Sequence, residues 1–181
     1  MPTGTGGFIN PEKVIGQLGL KPGLAVADFG CGHGYFALPV AKAVGKEGRI
    51  FAIDVLSEAL EAVRSRAQLE GIANIETIRG NLEAPGGSSL PDVAVDLVLL
   101  HNVLFESQKK AAIIKEAKRV LKTGGLFILI DWRKDNPSLG PQAGWRISLD
   151  EAKALAQEEG FVFNKVFDVG QYHYGLMFIK P

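Results

Sequence analysis

The 181-residue chain contains one cysteine, Cys31. A lone cysteine excludes an intramolecular disulfide and any zinc site built on several thiolates. No apolar run approaches the roughly 18 residues that a membrane helix requires. The opening residues, Met-Pro-Thr-Gly-Thr-Gly-Gly, lack the basic segment and apolar stretch of a secretory signal. An excess of either charge is also missing, because 20 Lys and Arg balance 20 Asp and Glu. Residues 1–90 carry 8 basic and 9 acidic side chains and residues 91–181 carry 12 and 11, so neither half is polarised. This balance argues against a general nucleic-acid coat protein and leaves only a local basic patch open. The chain is 46% hydrophobic, enough to bury a sizeable core. The expectation is a soluble cytoplasmic protein forming one domain over residues 1–181.

Short apolar runs alternate with helical patterns. Leu24–Phe29, Arg49–Asp54, Ile75–Arg79, Val95–Leu100 and Leu126–Asp131 read as buried strands. Helices are expected over Asn10–Leu18, Tyr35–Val44, Ser57 to Gly71 and Ser107–Lys122, with Ser57 capping its helix and Thr123-Gly124-Gly125 stopping the last. Residues 83–92 and 132–147, rich in Pro, Gly and Ser or broken by Pro and Gly, read as loops. Ser148-Leu149-Asp150-Glu151 has the spacing of a capping box, with a helix running to Gly160. Phe161–Asp168 and Tyr172–Lys180 then read as a hairpin around Gly170. The pattern predicts an α/β fold: a Rossmann-like, doubly wound, seven-stranded sheet with helices on both faces. The sheet is mostly parallel, with one antiparallel strand in the C-terminal hairpin.

The first strand runs into Asp28-Phe29-Gly30-Cys31-Gly32-His33-Gly34-Tyr35. Glycine at every second position lets a ligand lie against the backbone at the carboxyl edge of the sheet, the usual ligand crevice of open α/β folds. A dinucleotide fingerprint fits this run poorly. Counting six from Gly30 ends on Tyr35, and counting from Gly32 reaches Ala37 but leaves Asp28 outside. Asp54 ends the second strand, and its two acceptor oxygens suit a vicinal diol, as in either cofactor class. Gly80-Asn81-Leu82 follows the third strand, and Arg119-Val120-Leu121-Lys122-Thr123-Gly124-Gly125 precedes the fifth.

Taken in this order, the four segments resemble the motifs of the class I S-adenosylmethionine-dependent methyltransferases, most nearly the ubiquinone/menaquinone-biosynthesis C-methyltransferase group. Asn81 stands where that family often has Asp, and Thr123 stands where it has Pro. The resemblance implies S-adenosylmethionine as cofactor and S-adenosylhomocysteine as product. It implies a cofactor site of Asp28, Gly30, Cys31, Gly32, Gly34, Asp54, Val55, Asn81, Leu82 and His101. In that reading Asp28 stabilises the cationic methionyl end, Asp54 the ribose hydroxyls and Asn81 the adenine amino group. The Asn/Asp-Pro-Pro-Tyr/Phe motif of many amino-group methyltransferases is absent, which weighs against base-N6 and glutamine-N methylation.

The catalytic residues stay open, with His101, Asp131 and Arg146 as candidates. His101 is read as a cofactor contact or as a base. Asp131 is read as binding the acceptor or a metal, or as fixing the Trp132 loop. Arg146 is read as pairing with an acidic substrate, or as anchoring its loop to Asp131 or Asp135. Cys31 between two glycines reads as a small spacer rather than a nucleophile. No catalytic metal is expected, because His33, His101 and His173 show no ligand spacing. The Lys115, Lys118, Arg119, Lys122 face reads as a solvated helix surface rather than an RNA footprint. Residues 1–9 are a candidate lid. The expected acceptor is a small molecule in preference to protein or RNA, and a homodimer stays open. Two other functions stay open: a non-catalytic or partner-dependent S-adenosylmethionine-binding subunit and, more remotely, a nicotinamide dinucleotide oxidoreductase.

Overall fold

The structure, a computed structural model, describes residues 9–181. The expected lid therefore lies outside the described residues except for Ile9, which is buried. Elements follow in the order α1 (Pro11–Leu18), β1 (Ala25–Phe29), α2 (Ala37–Val44), β2 (Arg49–Asp54), α3 (Ser57–Leu69), β3 (Ile75–Arg79) and β4 (Val95–His101). They continue with α4 (Lys110–Val120), β5 (Leu121–Trp132), a short 3-10 turn (Ala143–Trp145), α5 (Leu149–Glu158), β6 (Val162–Phe167) and β7 (His173–Ile179). The strands form one sheet in the order β3-β2-β1-β4-β5-β7-β6, with β7 antiparallel to both neighbours. The expected seven strands and single reversed strand are both present.

Side-chain alternation divides the core between the two faces of the sheet. Val98 and Leu100 of β4, with Phe127 and Leu129 of β5, pack toward α4 and α5. Leu97, Leu99, Ile128 and Ile130 pack toward α1, α2 and α3. Burial on both sides explains why the central strands read as unbroken apolar runs. On the α4/α5 face, Phe127 stacks against Phe161 and Phe178, with ring centroids 4.8 and 5.8 Å apart.

Several boundaries differ from the sequence reading. Helix α2 starts at Ala37, not Tyr35, because the glycine turn continues through Phe36. Ser57 does not cap α3. Leu56 holds the N-cap position, and its backbone N–H donates to Asp54 Oδ1 at 3.0 Å. Helix α4 begins at Lys110, because Ser107 is drawn into a turn: its hydroxyl oxygen accepts from Lys109 N–H at 2.9 Å. The Thr123-Gly124-Gly125 segment is not the helix stop. The chain leaves α4 at Val120 and enters β5 at Leu121, and the glycines form an irregularity inside that strand. There the register with β4 jumps from Val95↔Leu121 to Leu97↔Leu126, and Gly124 adopts φ +77°.

Three of the four basic residues expected on one helical face, Lys118 and Arg119 of α4 and Lys122 of β5, are spent on internal bonds. Lys118 donates to Glu159 O at 2.7 Å and Lys122 pairs with Asp96 at 2.8 Å. Arg119 pairs with Glu116 and Asp92 and donates to Leu90 O. Burial works against the Glu116 charge, but the Arg119 and Ser88 bonds outweigh it and hold this carboxyl at about 2. Glu116 also accepts from the Gly86 and Ser88 amides, which pins the loop between β3 and β4.

The capping box is present as read: Ser148 Oγ accepts from Glu151 N–H at 3.2 Å, and Glu151 Oε2 accepts from Ser148 N–H at 2.8 Å. Ser148→Ala is expected to lower stability by about 1 kcal/mol. Urea denaturation checks this, and an unchanged midpoint would contradict the capping role.

Candidate functional site

The carboxyl ends of β1, β2, β3 and β4 enclose a cavity of about 760 Å³. That volume is in the range of small-molecule and cofactor sites. A second hollow of similar size, about 770 Å³, lies at the opposite edge of the sheet around Lys42, Gly48 and Glu70. It carries none of the residues singled out by the motifs.

The first cavity is held open by backbone bonds between neighbouring strand ends. Gly30 and Cys31 N–H both donate to Ile53 O, at 2.9 and 3.0 Å. Asp54 closes the same junction with its side chain: Oδ2 accepts from Gly32 N–H at 2.9 Å while Oδ1 accepts from Leu56 N–H. Its backbone carbonyl accepts from Gly80 N–H at 3.0 Å. Arg66 of α3 donates to His33 O at 2.8 Å and steadies the outer part of the turn. Gly30 is required on two counts: its φ is +73°, and a Cβ there would collide with the Val103 side chain. Gly32, at φ +50°, has no neighbour within 4 Å of a Cβ position and leaves the backbone open to the cavity.

Eight of the ten residues proposed for the cofactor line this cavity: Gly30, Cys31, Gly32, Asp54, Val55, Asn81, Leu82 and His101. The other two do not. Gly34 is buried, and a Cβ there would stand 3.2 Å from both Leu38 and Val63, so this glycine serves helix packing. Asp28 is 2% exposed and lies behind the turn. Burial and then the charge of Asp54 push its carboxyl up to about 7, and its Oδ2 has no hydrogen-bond partner.

The polar residues on the cavity wall differ in readiness. Asn81 Oδ1 accepts from Glu83 N–H at 3.0 Å, so its acceptor is already shared with the loop. His101 is held by a stacked Tyr35 ring at 6.2 Å and the edge of Phe36 at 4.8 Å. Burial, then the neighbouring His173, pushes His101 down to about 3, so it is neutral at physiological pH. Cys31 is buried, and its thiol is pushed far above its ordinary value by burial and by Asp28 and Asp54. It therefore lacks the thiolate that a nucleophile needs. Val55 and Leu56, each about half exposed, supply an apolar rim.

Two catalytic candidates are corrected by the geometry. Arg146 does not pair with a carboxylate or face the cavity. It is 3% exposed and donates to four backbone carbonyls of its own loop, those of Pro141, Arg133, Asn136 and Leu139. Asp135 pairs with Arg133 instead. Asp131 is 1% exposed and accepts from Leu104 N–H at 3.1 Å and Trp132 N–H at 2.8 Å. It clamps the turn after β4 to β5 and, being buried, is not part of the cavity wall. Burial raises its carboxyl to about 7 against those amide bonds.

Tyr35 at the end of the glycine run and Asn102, Val103 and Glu106 in the segment after the fourth strand are given no role by the motifs, and Arg66, Glu83 and Ser107 belong to none of them; all seven line the cavity. Ser107 Oγ–H donates to Glu83 Oε1 at 2.6 Å and joins the two loops at its mouth. Nothing local marks these residues, because they meet only when β3 and β4 are placed on either side of β1 and β2. His173, distant in sequence, comes to 6.4 Å from His101 between ring centroids. Among the described residues no group of three or more His, Cys, Asp or Glu side chains forms a metal-ligand set, and no helix is long and apolar enough to cross a membrane.

Known proteins agree with this architecture. A family model described as methyltransferase domain matches residues 20–160. A demethylmenaquinone methyltransferase of Geobacillus kaustophilus is 27% identical over 121 residues, covering 66% of this chain and 50% of that protein. An arsenite methyltransferase of Aquipseudomonas alcaligenes is 27% identical over 156 residues, covering 78% of this chain and 45% of that protein. The chain thus spans about half the length of these curated relatives. The crystal structure of a SAM-dependent methyltransferase from Aquifex aeolicus superposes with a TM-score of 0.89 at 28% identity, over 99% of this chain and 94% of that one.

The buried carboxyl of Asp28 gives a pH test. Its folded-state value, about 7, exceeds the roughly 3.9 of an unfolded aspartate. Its contribution to stability is therefore complete below about pH 4 and is lost as pH rises through 7. Asp28→Asn removes that loss. The histidines act in the opposite sense, so the readout is the difference between wild type and variant. Thermal unfolding from pH 5 to 7.5 is expected to show the wild type losing ground to Asp28→Asn as pH rises. A constant difference would contradict the assignment.

Proposed function

The chain belongs to the methyltransferase-domain family, in its class I S-adenosylmethionine-dependent form, and from that premise we propose that it transfers a methyl group to a small-molecule acceptor. The observation that supports this reading most is the Asp54 junction. A carboxylate at the end of β2 stands on the cavity wall, with one oxygen on the glycine turn and the other on the start of α3. Each oxygen engages one amide and keeps a lone pair, which suits a vicinal diol.

The residues present fit S-adenosylmethionine. Asp54 would hold the ribose hydroxyls, and Val55, Leu56 and Leu82 would offer apolar contact to a flat base. Gly32 leaves room for close approach of the ligand to the backbone. Asp28, buried behind the turn with an unpartnered oxygen, would stabilise a cationic group in the cavity electrostatically, without direct contact. S-adenosylmethionine supplies a methyl carbon already activated by a sulfonium. The chain's own task is then to position the acceptor and exclude water. His101 contributes as a neutral ring fixed between Tyr35 and Phe36.

Two features favour a small acceptor other than arsenite. Of the four cations that would form an RNA footprint, Lys118, Arg119 and Lys122 are occupied by the Glu159 carbonyl and by Glu116, Asp92 and Asp96. Trivalent arsenic is a soft centre bound by thiolates, and the single buried Cys31 cannot supply a set of them.

Calorimetry with S-adenosylmethionine, S-adenosylhomocysteine and NADH tests the cofactor. Saturable binding of the first two without NADH is expected. NADH binding alone would overturn the proposal, as would binding of none. Asp54→Asn is expected to weaken S-adenosylhomocysteine at least about tenfold, the scale of one charge-assisted hydrogen bond. Unchanged affinity would refute the ribose role.

A further inference from the structure

We propose that Asn102 and His173 form the polar end of the acceptor subsite and select an uncharged acceptor through a hydroxyl group. This rests on the cofactor reading above only in placing the acceptor beside that cavity. Asn102 lines the cavity next to His101. Its side-chain nitrogen lies 3.2 Å from His173 Nε2. His173 is 3% exposed and sits opposite Trp132 in the β5–β7 ladder, with its ring 4.0 Å from the Trp132 ring between centroids.

Two atoms of this pair have no hydrogen-bond partner: Asn102 Oδ1 and His173 Nδ1, both buried. With the Asn102 amide donating to Nε2, the neutral imidazole carries its proton on Nδ1. The orphans are then an acceptor on Asn102 and a donor on His173. If the amide is reversed, the roles exchange, and one donor and one acceptor are again left. A buried polar atom without a partner is costly, and functional sites are where such cost is retained. A hydroxyl, which both donates and accepts, complements the pair in either arrangement.

The backbone supports the same conclusion. Asn102 is a non-glycine residue at φ +54°. Its N–H donates to Ile130 O at 2.9 Å, and two residues on Leu104 is clamped to Asp131. The scaffold thus holds Asn102 in the left-handed conformation that asparagine tolerates, with its amide against His173.

The acidic side chains on the cavity wall disfavour an anionic acceptor. Its ionisable lining includes Asp54, Glu83 and Glu106, with Arg66 already donating to His33 O. Lys110 is engaged on Ser107 O, and Arg146 is bonded to loop carbonyls; burial and then the Arg146 charge push His173 down to about 4, which keeps its imidazole neutral. Rings of His101 and Trp132 beside His173 favour a flat acceptor.

Phenol serves as the probe, with toluene, benzoate and benzylamine as controls for the ring alone, an anion and a cation. The full chain is titrated with and without S-adenosylhomocysteine, and His173 ring and Asn102 amide resonances are followed by NMR. Saturable shifts with phenol alone among the four probes are expected. His173→Phe, which keeps the stack on Trp132 and removes both nitrogens, is expected to weaken phenol about tenfold. Its S-adenosylhomocysteine affinity is expected to stay within about twofold, since His173 is outside the cofactor set. Asn102→Gly accepts the positive φ, removes the amide and is expected to weaken phenol similarly. Absence of phenol shifts, equal response to all four probes, or wild-type phenol affinity in a folded variant would overturn the proposal. Phenol binding without S-adenosylhomocysteine binding would sink the cofactor reading alone.

Discussion

The Asp54 carboxylate is the point on which the site depends. β1 and β2 are parallel neighbours, and both end at the same edge of the sheet. The chain after β1 must turn away sharply, and glycines at positive φ allow it to do so. Freedom to turn does not fix where the turn goes. The Ile53 carbonyl and the Asp54 side chain do that, accepting from three successive amides at Gly30, Cys31 and Gly32. The same residue starts α3 through Leu56 and receives the β3 turn through its carbonyl. One acidic residue thus aligns three loops around the cavity while keeping acceptor capacity toward it.

The other buried charges serve the scaffold, and so the chemistry is confined to this edge. Glu116 and Arg119 pin the loop between β3 and β4. Asp131 fixes the turn after β4, and Arg146 gathers the carbonyls of the loop after β5. Each is satisfied by backbone groups that loops leave unpaired. Substrate-like readings of such residues fail once their partners are counted. Asp28 differs, because one of its oxygens has no partner and its carboxyl is held up to about 7 by burial and by Asp54.

Much of this was legible in the sequence, for identifiable reasons. Strands buried on both faces write themselves as apolar runs such as Val95–Leu100 and Leu126–Asp131. The capping box at Ser148 and Glu151 is a local signal with a local bond, and it is found where it was read. The glycine turn and Asp54 are visible because close backbone approach restricts residue type. Long-range partnerships are not visible in this way. Ser107 resembles a helix start until Glu83 comes within reach of its hydroxyl. Gly124 resembles a helix stop until β5 is seen to begin earlier and slip its register against β4. Gly34 shares the motif with Gly30 and Gly32, yet Leu38 and Val63 claim it for packing. The pairing of Asn102 with His173 joins two residues 71 positions apart and has no local signature.

A crystal structure of the chain with S-adenosylhomocysteine tests the central claim most directly. The account predicts the nucleoside in the cavity between the Gly30–Gly32 turn and Asn81–Leu82, with both ribose hydroxyls on Asp54. Ligand bound in the hollow around Lys42 and Glu70, or ribose turned away from Asp54, would contradict it.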